Sequence, residues 1–105
     1  GAYAGRQVVP AEWVQESTAT QIEGSFHGAQ IRYGYLWWLD IGNPLFTYLN
    51  DEKAFLAMGV RGQRILVHPG LDTVVVITAE QRDESQCDIL IRDFILPAIS
   101  ENGTE

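Results

Sequence analysis

Apolar and polar positions change their spacing along this 105-residue chain, and each change marks an element. The stretch "VVPAEWVQES", residues 8–17, predicts a short helix. Pro10 suits the first helical position, where its missing N–H costs nothing, and Glu12 suits the positive end of the dipole. Trp13 and Val14 are then expected to face the core. Residues 18–29, "TATQIEGSFHGA", show no period and read as a loop. Residues 30–39, "QIRYGYLWWL", are β-prone, with Ile31, Tyr33, Tyr35 and Trp37 on one face and large side chains on both, so the strand is expected to be covered on each side. Residues 40–52, "DIGNPLFTYLNDE", read as a loop, Pro44 biasing Asn43 away from helix.

Three short strands are predicted next, at 54–60, 62–68 and 72–79. The link "HPGLD" places Pro69 and Gly70 for a type II turn, which pairs the last two strands as an antiparallel hairpin. The run "DTVVVITA" is apolar on both faces, the habit of a central strand, yet no segment remains to pair its second edge. A closing helix follows. Ser85 with Asp88 fits a capping box, Asp83 being an alternative cap, and Cys87, Leu90, Ile91, Phe94, Ile95 and Ala98 form an apolar stripe. Pro97 weakens its last turn, and "SENGTE" is expected to fray. The pattern predicts an α+β domain over 1–105: an antiparallel sheet of three to four strands with flanking N- and C-terminal helices.

Composition narrows the function. With 46% hydrophobic and 20% charged residues the chain reads as globular. A net charge of −7 argues against binding nucleic-acid phosphates or an anionic membrane surface. No apolar run reaches the length of a membrane span, and "GAYAGRQVVP" is not a signal peptide; Gly1 is not expected to be the natural start, and the compartment stays open. The single cysteine, Cys87, excludes an internal disulfide, and its place in the helical stripe reads as a buried small hydrophobe. His27 and His68 have no Cys or carboxylate at metal-ligand spacing, and no phosphate loop or dinucleotide fingerprint occurs, so neither metal nor cofactor is expected.

The segments "RQVVPAEWVQEST", "YGYLWWL" and "FLAMGVRGQRILVHPGLDTVVVITA" stand in an order that resembles the C-terminal part of the serine β-lactamase-related hydrolases. The likeness is strongest to the branch holding class C β-lactamases, esterases and 6-aminohexanoate-dimer hydrolase, and it covers nearly the whole chain. It implies a β-lactamase/transpeptidase-like fold, of which this sequence supplies the later strands and last helix. It also implies acyl-enzyme hydrolysis of a small-molecule amide or ester, by a parent chain that works outside the cytoplasm in many relatives. In that family a serine in Ser-x-x-Lys attacks the carbonyl, and a lysine and a Tyr-x-Asn tyrosine handle protons. Here no Ser-x-x-Lys occurs, so no catalytic residue is assigned and the piece alone is expected to be inactive. The Tyr-x-Asn at Tyr48–Asn50 stands about ten residues before the glycine bend, too close for that motif, and is set aside.

The family's third motif, usually Lys-Thr-Gly, falls by the resemblance near Ala57-Met58-Gly59. Gly59 matches its glycine, Val60 would give the oxyanion N–H, and Met58, Gly59, Val60, Gly62 and Gln63 would line the cleft. The missing lysine disfavours carboxylated substrates and favours ester or amide hydrolysis. Other readings stand beside these. Gly59 and Gly62 equally suit a bulged or tight hairpin, Gln63 suits backbone hydrogen bonds around the bend, and Arg61 reads as a solvated turn residue or as the replacement cation. Trp37 and Trp38 read as strand core rather than a stacking wall. A stand-alone binding module that recruits a partner strand or a second copy to its open sheet edge is the alternative function. A small enzyme using Tyr48, His27 or His68 comes last, since no nucleophile, base and orienter share an informative spacing.

Overall fold

The computed structural model describes residues 1–50 and 53–103. It is α+β, with an antiparallel sheet and a C-terminal helix. Among the described residues the main sheet has six strands, not three to four, in the order β3 (Ile22–Phe26), β4 (Ala29–Tyr33), β5 (Trp38–Ile41), β6 (Phe55–Gly59), β7 (Gln63–His68) and β8 (Thr73–Ile77). A two-stranded ribbon, β1 (Ala2–Tyr3) with β2 (Arg6–Gln7), precedes the short helix α1 (Ala11–Ser17).

The extra strands arise from local turns that the hydrophobic period hides. His27 and Gly28 both have positive φ, 50° and 80°, the signature of a two-residue hairpin turn joining Phe26 to Ala29. Residues 22–26 are therefore a strand rather than a loop. The expected continuous strand at 30–39 breaks at Gly34. A Cβ there would collide with the carbonyl oxygen of Ser17, and Tyr35 N donates to that same oxygen at 2.9 Å. The break overturns the expected face: Tyr33 pairs with Trp38 and Ile31 with Ile41, while Trp37 stacks edge-on against Phe55. The 40–52 segment is not wholly loop either. Trp38–Ile41 completes β5, and Pro44–Leu49 forms a 3-10 turn whose start is capped by the Asn43 side chain accepting from Leu45 N at 2.9 Å; residues 51–52 lie outside the described residues.

The 54–60 and 62–68 strands pair as expected, Leu56 opposite Leu66, and β7 pairs with β8. Their link is a 3-10 turn, Pro69–Leu71, rather than a type II turn: the left-handed residue is Asp72 (φ 49°), and His68 Nδ1 accepts from Leu71 N at 3.2 Å. β8 ends the sheet instead of standing at its centre, with Val75 buried and Val74 and Val76 exposed. The core lies on one sheet face, where Leu56, Leu66 and Val75 meet Ile41, Leu49, Ile91 and Leu96.

The closing helix runs as α2 (Ser85–Leu90), a π-helical turn at Ile91–Ile95, and α3 (Leu96–Gly103). The wider turn shifts its phase. Cys87, Ile91 and Leu96 face the core, and Leu90, Phe94 (64% exposed) and Ala98 face outward, so half of the expected stripe is not a packing stripe. The capping box also fails. Asp83 is the residue that accepts from Ser85 N at 3.1 Å, while Asp88 is buried. Helical backbone continues through 100–103 where fraying was expected; residues 104–105 lie outside the described residues. At the other end α1 starts one residue later than Pro10's assigned place, and Trp13, half exposed, packs on Tyr35 instead of the core.

Candidate functional site

The bend between β6 and β7 gathers the residues that the sequence singled out. Gly59 ends β6 in extended geometry (φ −123°, ψ 163°), Val60–Gly62 makes a 3-10 turn, and Gln63 opens β7 directly opposite Gly59. Arg61 (φ 70°) and Gly62 (φ 95°) both take left-handed backbone. Gly62 is required twice over, because a Cβ would also lie 2.7 Å from the Sγ of Cys87. The cysteine is buried, as its place in the pattern predicts.

Gln63 acts on the backbone. Its Oε1 accepts from Ala79 N at 3.2 Å and its Nε2 donates to Ala79 O, so one side chain ties the bend to the end of β8. Arg61 is exposed and its carbonyl accepts from Gln81 N at 2.9 Å, a second tie to the same segment. The hairpin and backbone readings of Gly62 and Gln63 are the ones that this geometry describes. Val60 is 79% exposed at the tip, and Met58 is half-buried on the core face.

Beside the bend, Ala57, Ile65 and Val76 floor a shallow cleft of about 280 Å³, with Gly59, Gln63 and Thr78 at its rim. These floor residues share the face opposite the core by the register Ala57–Ile65–Val76. On the β5 side, β6 has a single ladder partner, Trp38 opposite Leu56. Among the described residues, Ala57–Gly59 therefore keeps an open strand edge.

Under the bend lies a buried polar network that the sequence reading missed. Arg64, 3% exposed, holds Asp88, 1% exposed, in a two-pronged bond, Nε to Oδ1 at 3.0 Å and Nη2 to Oδ2 at 3.1 Å. Tyr48 donates its hydroxyl to the same Oδ1 at 2.7 Å. Nη1 of Arg64 turns the other way and donates to the carbonyls of Gln63 at 3.0 Å and Gly59 at 3.4 Å, with Glu84 at 3.5 Å on the rim. Burial, reinforced by the charge of Asp88 and the hydrogen bond to it, drives the Tyr48 phenol well above its ordinary pKa. Desolvation by burial is the largest single influence and opposes the Arg64 charge, but the hydrogen bond and charge of Asp88, with Tyr48 and Glu84, together outweigh it and hold the guanidinium above its ordinary value. A signal existed: Arg64 alternates with Leu66 on the buried face of β7, and Asp88 stands beside Cys87 and three residues before Ile91. A cation on one apolar stripe and an anion on the facing one call for each other.

The remaining candidates stay apart. His27 sits exposed at the β3–β4 turn, His68 is buried at the far end of β7, and no group of His, Cys, Asp and Glu able to hold a metal occurs among the described residues. Trp38 stacks with Tyr33 and Phe26 within the sheet. No described helix is long and apolar enough to cross a membrane. No family model, curated protein or solved structure matches the chain.

Proposed function

We propose that this chain forms the late-sheet wall of a β-lactamase-related serine hydrolase, one that cleaves an amide or ester through an acyl-enzyme. The observation that carries the reading is the open edge of β6 at Ala57–Gly59 beside an apolar cleft. An extended strand edge offers N–H and C=O groups to a substrate laid along it, and a terminal glycine leaves that approach uncovered. Acyl transfer also needs an N–H donor fixed before the reaction, and the Val60 N–H stands at the end of that edge on a bend tied down by Gln63 and Arg64. Ala57 stands where a lysine would hold a substrate carboxylate, and the cleft floor is apolar, so the substrate is an uncharged ester or amide at that end. The attacking serine belongs to a Ser-x-x-Lys segment outside this sequence, and the free side of β8, with Val74 and Val76 exposed, suits the first strands of such a sheet.

The coding region preceding Gly1 tests this. An in-frame Ser-x-x-Lys, followed by Tyr-x-Asn well before Gly1, names the nucleophile; the whole product then hydrolyses a p-nitrophenyl ester and loses that activity when the serine becomes alanine. A stop codon followed by a start codon immediately before Gly1 refutes the reading.

One observation favours a second reading. β8 is an edge strand, and the row of backbone N–H and C=O groups along its outer side suits an added strand from a partner or a second copy. Sedimentation of the 105-residue chain as a monomer at high concentration counts against self-association.

A further inference from the structure

We infer that Arg64 is a positioning residue of the bend: anchored by Asp88, it orients the Gly59–Val60 peptide so that the Val60 N–H is aimed away from the core, toward the open edge. The catalytic consequence rests on the hydrolase reading; the orientation itself does not. The carbonyl of Gly59 and the N–H of Val60 belong to one planar trans peptide, so they point in opposite directions. Nη1 of Arg64 lies 3.4 Å from the Gly59 oxygen and 3.0 Å from the Gln63 oxygen, bridging the two carbonyls that flank the bend. That guanidinium is itself fixed by both oxygens of Asp88, which Tyr48 steadies from behind. The Gly59 carbonyl is therefore held toward a buried cation, and the Val60 N–H leaves on the other side, at a residue 79% exposed. A cation on the carbonyl also polarises the peptide and makes its N–H a stronger donor.

A mere brace between sheet and helix would need only the two bonds to Asp88. Here the third nitrogen is directed to the bend carbonyls, a task that needs the planar fork of arginine. Lysine, a single point charge, cannot meet the carboxylate and both carbonyls together.

Proton–nitrogen NMR of the 105-residue chain tests this, comparing Arg64→Lys with Tyr48→Phe, which removes a buried hydrogen bond to Asp88 and leaves Arg64 in place. The Val60 amide resonance is expected to move in Arg64→Lys and to hold in Tyr48→Phe. An equal response in both makes Arg64 a brace and overturns the inference. Should Arg64→Lys not fold, the unaltered chain decides: nuclear Overhauser contacts from the Nη1 protons of Arg64 to the α-protons of Gly59 are expected, and their absence overturns it. In the whole hydrolase, Arg64→Lys is expected to lower kcat by roughly ten- to hundredfold, less than the roughly hundred- to thousandfold cost of removing an oxyanion donor because the N–H is misdirected and not lost, with KM changed less than about twofold. A raised KM at unchanged kcat overturns the positioning role, whereas a native protein without turnover refutes the hydrolase reading and leaves the amide shift to decide the orientation.

Discussion

The guanidinium of Arg64 on β7 meets the carboxylate of Asp88 on α2 through two parallel bonds of 3.0 and 3.1 Å, with both side chains 2% exposed. This pair, 24 residues apart in sequence, joins sheet to helix more specifically than the apolar core around it. Removing Asp88 leaves the Arg64 charge buried with only the longer contact to Glu84 at the rim. Asp88→Ala is expected to cost about 3–5 kcal/mol of stability, read from urea unfolding. The paired change Arg64→Met with Asp88→Leu is expected to recover most of that loss, because it leaves no unpaired charge.

Stability should fall in alkali. The folded-state pKa of Tyr48 is raised by burial and by Asp88, so its contribution is fully present below the ordinary tyrosine pKa and is lost as pH climbs above it. Above about pH 10 the unfolded chain releases this proton and the folded one keeps it. The slope from this residue is then about 1.4 kcal/mol per pH unit. Tyr48→Phe is expected to remove that slope, measured as the pH dependence of the unfolding midpoint between pH 9 and 11.

Gly62→Ala meets two separate obstacles, a left-handed φ of 95° and the Sγ of Cys87 at 2.7 Å from the new Cβ. A loss of about 1–3 kcal/mol is expected from the backbone alone, and more from the clash. Repeating the change in a Cys87→Ala background should relieve only the steric part. Thermal melts of the four proteins in this cycle separate the two; identical losses in both backgrounds would show that the sulfur yields freely.

The clamp of Gln63 on Ala79 predicts a fourth effect. Gln63→Leu leaves both Ala79 backbone groups without that partner, with an expected loss of about 1–3 kcal/mol. Amide exchange is expected to quicken first at Ala79 and Gln81, whose N–H groups bond to the bend. Uniform quickening across the sheet would place the clamp's effect on global stability instead.

How much was legible in the sequence follows the range of each signal. The β6–β7–β8 pairing was legible because turn residues, the glycine bend and the Pro69-Gly70 link, separate three short apolar runs, and so short a link joins neighbouring strands antiparallel. The hairpin at His27-Gly28 could not, since its cue is backbone conformation at a dipeptide outside the usual turn pairs. Gly34 hid the end of β4 inside an aromatic run, where propensity favours a strand on both sides of the break. Phe94 was placed inward on an even helical period, and the π-helical turn at 91–95 moved it out; Leu90 stands before that turn and lies outside the face that buries Cys87, Asp88 and Ile91. The bend residues Gly59, Val60, Gly62 and Gln63 were found because they cluster in sequence. Tyr48, Arg64 and Asp88 converge only through tertiary packing, and Asp88 had a plausible local role at the helix start that drew it away from its actual one.

The separation between Arg64 and Asp88 also sets an order of events during synthesis. Arg64 leaves the ribosome 24 residues ahead of Asp88, the carboxylate that holds it with two bonds, an interval of about one to five seconds at ordinary elongation rates. Until the last helix emerges, the β6–β7 hairpin carries an uncompensated cation on the face destined for the core. The nascent sheet therefore cannot close early around wrong neighbours without burying that charge, and the arrival of Asp88 is what releases it to do so.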